Sequence, residues 1–366
     1  MDEIHQDNQY YYNRNYGCRI HEIIYKGFKS LIIENEKLRC LILADKGTDI
    51  IEFLYKPKDI DFMWKSPLDL NSPIALPLTK ENESGGFFDT YLGGWHEMLP
   101  NIYLPADYKG AKFGLHGEIA NLPWKYEILC DTPDEVVVKF HVRMRRTPFY
   151  VEKYVKIVSN SYFLEFEEVI LNEANEDFTF MWGHHPVFGK PFLSEDCVIN
   201  FPDKAIGKTF EIDYSGNSPF PVNKEFKWPI LTDNSGNDLD VSKIMKPDKR
   251  IAFNIYVKEL NEGWYGITNK KSGIGFGLKW DINIFKYIML WFSYEGFYGY
   301  PFYGRTYNVG IEPWSEIPGS LEEVIDAKKG IILKPKQKIS TKYSAIVYES
   351  TKGIQGFNDD NTINVF

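Results

Sequence analysis

Long stretches of the chain alternate apolar and polar residues with a period of two, a pattern that commits them to sheet. Val138, Phe140, Val142 and Met144 are interleaved with Lys139, His141, Arg143 and Arg145. Val151, Val155 and Ile157 are interleaved with Glu152, Tyr154 and Lys156, and Leu164 and Phe166 with Glu165 and Glu167. Successive side chains on a strand point to opposite faces, so each run predicts a strand with one buried and one solvated face. A solvated face argues against a parallel sheet covered on both sides. Further strand-like runs lie at 38–43, 50–55, 251–257, 274–280, 287–292 and 343–348, separated by Gly, Pro, Asn and Asp clusters. Many short strands punctuated in this way predict an all-β chain built as a large antiparallel β-sandwich.

One helix is predicted. Ser320-Leu321-Glu322-Glu323 is a capping box, continued by Val324 and Ile325 and stopped at Gly330. Two long polar segments, 65–94 and 202–248, read as loops without structure of their own. Strand character resumes on both sides of each, so neither reads as a linker. The 366 residues suit one large all-β domain. Residues 1–366 are therefore read as a single β-sandwich domain with a polar N-terminal segment. The polar tail after about residue 353 is expected to fray.

Charge and composition exclude several classes of function. A net charge of −9 argues against nucleic acid and against anionic membrane as partners, because phosphate binding needs a basic surface. No run of 18 apolar residues exists, and residues 1–16 carry no apolar signal core, so a cytoplasmic protein is expected. Cys18, Cys40, Cys130 and Cys197 form no C-x-x-C pair and no zinc spacing, and are expected as free thiols.

Four segments combine titratable residues with glycine, proline and aromatics, as strand ends facing a cleft do. They are Gly93-Gly94-Trp95-His96-Glu97-Met98-Leu99-Pro100-Asn101, Gly114-Leu115-His116-Gly117-Glu118, Trp182-Gly183-His184-His185-Pro186-Val187-Phe188 and Gly310-Ile311-Glu312-Pro313-Trp314. His116, between glycines, is either a surface residue capping a turn or a cleft residue. His184 and His185 are adjacent on an extended chain and point to opposite faces, so they cannot chelate one metal well. Residue type alone does not say which of them faces a cleft. Glu312 follows an apolar strand segment and precedes a proline. Between Tyr287 and Trp314 the aromatic share is more than twice the chain's 16%, and aromatic faces suit the C–H faces of sugar rings. His5, His21 and His141 read as solvated.

The order of Gly-Leu-His-Gly at 114–117, His-x-x-Phe at 185–188 and a glutamate at 312 resembles the aldose 1-epimerase (galactose mutarotase-like) superfamily. Gly47-Thr48-Asp49-Ile50, Pro123-Trp124 and Leu333-Lys334-Pro335 add to the resemblance, which runs from about residue 38 to about residue 348. It implies a galactose mutarotase-like supersandwich with one or two short helices. It also implies an isomerase of carbohydrate metabolism that interconverts the α and β anomers of a free aldose by opening and closing the ring. On this resemblance Glu312 is the general base at the anomeric hydroxyl. His185 is the general acid at the ring oxygen, and His116 is a second histidine near that oxygen. Asn101, Trp95 and His96 fall where substrate contacts lie, and Asp281 and Trp291 are further candidates for hydroxyls or the ring face.

A carboxylate and a histidine can exchange protonation states within one cycle near neutral pH, so this chemistry calls for no cofactor and no metal. No phosphate loop or dinucleotide motif is present. The expected partner is a small-molecule sugar, the chain being a monomer or homodimer. Galactose-specific members carry an arginine in the segment matching 93–101 and Thr-Asn before the acid histidine. This chain has neither, which implies a different aldose. Alternatives on the same fold are a hexose-phosphate epimerase using Arg143, Arg145, Arg146 or Arg305, and a non-catalytic carbohydrate-binding protein. A lyase or glycoside hydrolase on a related sandwich is a further alternative; hydrolysis normally uses two carboxylates, of which Glu312 stands out and Asp281 is a distant second.

Overall fold

In the computed structural model, which describes residues 14–68, 86–317 and 319–365, two antiparallel sheets supply the core. The larger has 12 strands. Its order is Arg19–Tyr25, Phe28–Glu34, Leu38–Leu43, Asp49–Tyr55, Trp95–Met98, Gly183–Phe188, Tyr307–Trp314, Tyr287–Tyr294, Ile251–Lys258, Ile206–Thr209 and Glu225–Lys227, with Ile60–Asp61 beside Asp49–Tyr55. The second has 8 strands, ordered Cys197–Asn200, Trp264–Asn269, Ile274–Trp280, Lys338–Glu349, Phe163–Asn172, Phe149–Val158, Glu135–Arg143 and Lys125–Asp131.

The period-two runs behave as their pattern predicts. Along Glu135–Arg143, Phe149–Val158 and Phe163–Asn172, buried residues alternate with partly exposed ones, and neighbouring strands pair in continuous antiparallel register. The buried faces meet the inner face of the large sheet, where Val138, Phe140, Val155 and Phe166 join Ile33, Phe53, Trp95 and Phe188 in one core. The fold is the expected all-β sandwich. The α-helix among the described residues, Leu321–Asp326, is capped by the Ser320 hydroxyl, which accepts from the Glu323 N–H, and it buries Leu321 and Val324.

Two expectations need correction. Segment 202–248 carries Ile206–Thr209, Glu225–Lys227, Ile230–Thr232 and Asp238–Asp240, so it extends the large sheet and adds a hairpin. Its polarity belongs to turns: Asp213 and Asp233 side chains accept backbone N–H groups of Ser215, Ser218, Ser235 and Asn237. The tail after 353 is also ordered. Ile354–Phe357 pairs with Ile363–Val365, and Ile354 and Phe357 pack on Trp264, Ile346 and Tyr348. Most of the polar N-terminal segment, and 69–85 of the expected loop at 65–94, lie outside the described residues. Cys18, Cys40, Cys130 and Cys197 are free thiols. Among the described residues no helix is long and apolar enough to cross a membrane.

Candidate functional site

Three neighbouring strands at the middle of the large sheet place three functional groups in one row. His185 on Gly183–Phe188 is the cross-strand partner of His96 on Trp95–Met98. On the other side Gly183 pairs with Trp314 and Val187 with Gly310, which sets His185 opposite Glu312. Directly opposed residues share a face, so His96, His185 and Glu312 project together. Their chain neighbours project the other way: Trp95 and His184 pack on Phe166 and Tyr343 of the second sheet. The row therefore lies on the face turned away from the sandwich core.

A turn brings the fourth group over the row. His116 has a left-handed backbone, φ 62°, and Gly117 follows at φ 76°. A Cβ on Gly117 would stand 2.1 Å from the Leu99 carbonyl oxygen, so only glycine lets the turn sit this close to the strand end. The Asn101 amide donates to the carbonyls of Leu104 and Gly114 at 2.7 and 2.9 Å, bracing the same turn. His116 Nδ1 donates to the Ile102 carbonyl at 2.5 Å, which leaves Nε2 as the ring's free lone pair.

The four groups are compact and closed off. His96 and His185 are stacked with centroids 4.4 Å apart, and the His116 ring lies 5.4 and 5.1 Å from them. His185 Nε2 is 3.2 Å from Glu312 Oε1, and the Trp314 indole N–H donates to Glu312 Oε2 at 3.2 Å. Rings of Phe87, Tyr91 and Trp291 flank the histidines, with the Tyr91 hydroxyl 3.5 Å from His185 Nδ1. Exposure is 1% at His96, 4% at His185, 5% at His116 and 0% at Glu312.

Burial sets the protonation. It raises the Glu312 carboxyl well above the usual range, against the Trp314 hydrogen bond. It lowers His96 and His185 well below the ordinary imidazole value and brings His116 to about 4. The His185–Glu312 contact has the spacing of an ion pair, yet burial favours the neutral form of each partner. Both ring nitrogens of His96, and Glu312 Oε1, form no hydrogen bond among the described residues. A buried polar atom left in this way costs roughly 1–3 kcal/mol until a ligand or an ordered water pairs it.

A family model for a domain of unknown function, DUF4432, matches residues 25–346. The chain belongs to the DUF4432 family. Sequence comparison with curated proteins finds no match. Solved structures share its fold at low identity. A candidate aldose 1-epimerase from Klebsiella pneumoniae superposes with a TM-score of 0.70 at 17% identity, covering 90% of this chain and 82% of that one. A galactose mutarotase-like protein from Clostridium acetobutylicum gives 0.61 at 16%, covering 91% and 100%. A galactose mutarotase related enzyme from Lactobacillus acidophilus gives 0.56 at 18%, covering 88% and 99%. The DUF4432 chain thus has the galactose mutarotase-like fold.

Of the residues singled out in this DUF4432 sequence, the fold gathers Glu312, His185, His116 and His96, with Trp291 on the wall. Asn101 is a buried brace of the His116 turn. Trp95 points into the sandwich core, where its N–H faces His184 at 3.4 Å. Asp281 is exposed and accepts from the Asn283 backbone and side chain in a turn. Arg143 pairs with Glu173 at the surface, and Arg305 bonds the Phe302 carbonyl. Phe87 and Tyr91 were missed because they lie in a segment read as loop. Also missed was a buried network behind the row. Lys153 contacts Glu97 and Glu168, the Tyr343 hydroxyl donates to Glu168, and His184 Nε2 lies 3.4 Å from Glu168. Burial alone would raise Glu168, but His184, Lys153 and the hydrogen bonds hold it down at about 2. A lysine at 153 interrupts the apolar face of 151, 155 and 157, which was the available signal.

Proposed function

We propose that this protein is an aldose 1-epimerase, binding a free aldose over the central strands and interconverting its anomers by acid–base ring opening. The observation that carries the reading is the His185 Nε2–Glu312 Oε1 distance of 3.2 Å in a closed site. Ring opening removes a proton from the C1 hydroxyl while the ring oxygen gains one; closure on the other face of the aldehyde reverses both transfers. A carboxyl and an imidazole that share one proton supply both functions.

With burial raising Glu312 and lowering His185, the shared proton rests on Glu312. Its transfer to His185 produces the working form, a carboxylate toward the C1 hydroxyl and an imidazolium toward the ring oxygen. His116, its Nδ1 proton committed to Ile102, offers Nε2 as an acceptor for a sugar hydroxyl. Trp291 and Phe302, 5.6 Å apart and inclined by 33°, offer a surface for the C–H face of the ring. Glycine at 310 leaves open the space beside the carboxylate, since a Cβ there would meet Glu312 Oε1 at 2.6 Å.

The same geometry favours epimerisation over hydrolysis, because Glu312 is the carboxylate that the row presents and Glu97 turns into the core. The test is exchange NMR of the anomeric protons of glucose, galactose, xylose and less common aldoses. Exchange above the spontaneous rate for at least one sugar is expected. Exchange at the spontaneous rate across the panel would remove the reading.

A further inference from the structure

The histidine cluster has a property that proton exchange does not require. One nitrogen from each of His96, His116 and His185 lies within 4.8 Å of the other two, and all three residues are buried. Three imidazoles from two adjacent strands and one braced turn make a facial set of nitrogen donors, with the Glu312 carboxylate beside it. Proton transfer between Glu312 and His185 gives no role to His96, yet His96 is 1% exposed with both ring nitrogens unpaired among the described residues. A buried imidazole without any hydrogen bond is costly, and a bound cation would pair one of its two nitrogens.

We infer that His96, His116 and His185 form a binding site for one divalent transition-metal ion. Three nitrogen donors suit zinc and its neighbours rather than magnesium or calcium, which take oxygen ligands. The Ile102 carbonyl receives His116 Nδ1–H, the outer contact that fixes the tautomer and orientation of a ligating histidine. Around a tetrahedral ion with bonds of about 2.0–2.1 Å, donor atoms stand roughly 3.3 Å apart, so binding requires the set to contract and the stacked His96 and His185 rings to tilt until both lone pairs meet the ion. Three protein ligands leave a coordination position for a sugar oxygen, with Glu312 next to it. With the ion in place His185 is a ligand and no longer takes the Glu312 proton; Glu312 alone then carries the proton removed from the C1 hydroxyl and returns it on closure, while the ion replaces the imidazolium as the electrophile at the ring oxygen. Ion binding rests on the donor geometry alone; the use of the open position by a sugar rests on the anomer-exchange reading.

The test uses full-length protein without a polyhistidine tag, stripped with EDTA and dialysed against Zn2+ or Co2+. Metal content and calorimetric titration are read for wild type, His96→Asn, His116→Gln and, as a control away from the cluster, His141→Ala. One ion per chain is expected in wild type and in His141→Ala, with affinity at least about a hundredfold weaker in the two cluster variants. Bound Co2+ should show visible absorption of a low-coordinate nitrogen site. Folded wild-type protein that takes up no ion, or uptake unchanged in both cluster variants, would overturn the site. Anomer exchange is read on the same samples. An ion bound without exchange on any aldose supports the site and removes the epimerase reading. Exchange by wild type that binds no ion keeps the epimerase reading and overturns the site.

Discussion

His185 Nε2 lies 3.2 Å from Glu312 Oε1, and the two residues stand opposite each other on adjacent antiparallel strands at the middle of the large sheet. Sheet pairing fixes this distance to within the play of two side chains, unlike a contact between loops. The pair is a property of register, and a slip of one residue in either strand would turn one partner into the core.

The space beside Glu312 should be intolerant of a single methyl group. Gly310→Ala places a Cβ 2.6 Å from Glu312 Oε1, while the backbone at 310 keeps an ordinary extended conformation. The variant should fold, with an unchanged far-UV spectrum. It should lose roughly a hundredfold in anomer exchange, the order expected for displacing a catalytic group by about 1 Å. Full activity would show that the carboxylate can stand elsewhere.

Acid should destabilise the fold through the buried histidines. His116 has its folded value lowered to about 4, against 6.5 for the free side chain. The unfolded chain therefore binds a proton that the folded chain refuses, and stability is lost as pH falls from about 6.5 to about 4. The share of His116 is on the order of 3 kcal/mol. Urea unfolding in EDTA at pH 7.0 and pH 4.5 isolates this share as a difference: going to the lower pH, wild type should lose more stability, or gain less, than His116→Asn. Burial of Glu312 acts in the opposite direction in both proteins alike, so an acid loss in His116→Asn as large as that of wild type would contradict the burial argument for His116.

Removing the lysine behind the row should cost more than removing a surface charge. Lys153→Met leaves Glu97 and Glu168 buried without their cation, and breaking one side of a buried pair costs roughly 3–5 kcal/mol. Thermal melts should show a large fall, and Lys153→Met combined with Glu97→Gln should recover part of it. A fall no larger than that of Lys342→Met, whose exposed Nζ pairs with Glu167, would mean that the network contributes no more than a surface pair.

The architecture was legible where residues alternate strictly. The runs around 138, 151 and 164 carry their own face assignment, and the strands follow it residue by residue. Alternation was silent where both faces are buried: every residue of Gly183–Phe188 and Tyr307–Trp314 is buried, so no solvated face marks the period. The turns of 202–248 hid short strands because Asp, Asn and Gly dominate the composition of a segment whose paired residues are few. At the site, adjacency told that His184 and His185 diverge, but only cross-strand register shows that His96 and Glu312 flank His185. Trp95, next to His96, faces the core for the same reason. The Glu97–Lys153–Glu168 network joins residues far apart in the chain, each of which looks alone like an interruption of its strand.

The central claim is that Glu312 takes part in proton exchange with a bound sugar. Glu312→Gln keeps the shape and the Trp314 hydrogen bond while removing the titrating group. The deciding measurement is saturation-transfer NMR between the anomeric protons of the sugar on which wild type is active, together with the sugar's affinity, for wild type and Glu312→Gln. Exchange in Glu312→Gln should fall to the spontaneous rate, with affinity changed by less than about tenfold. Exchange at the wild-type rate in Glu312→Gln would contradict the claim.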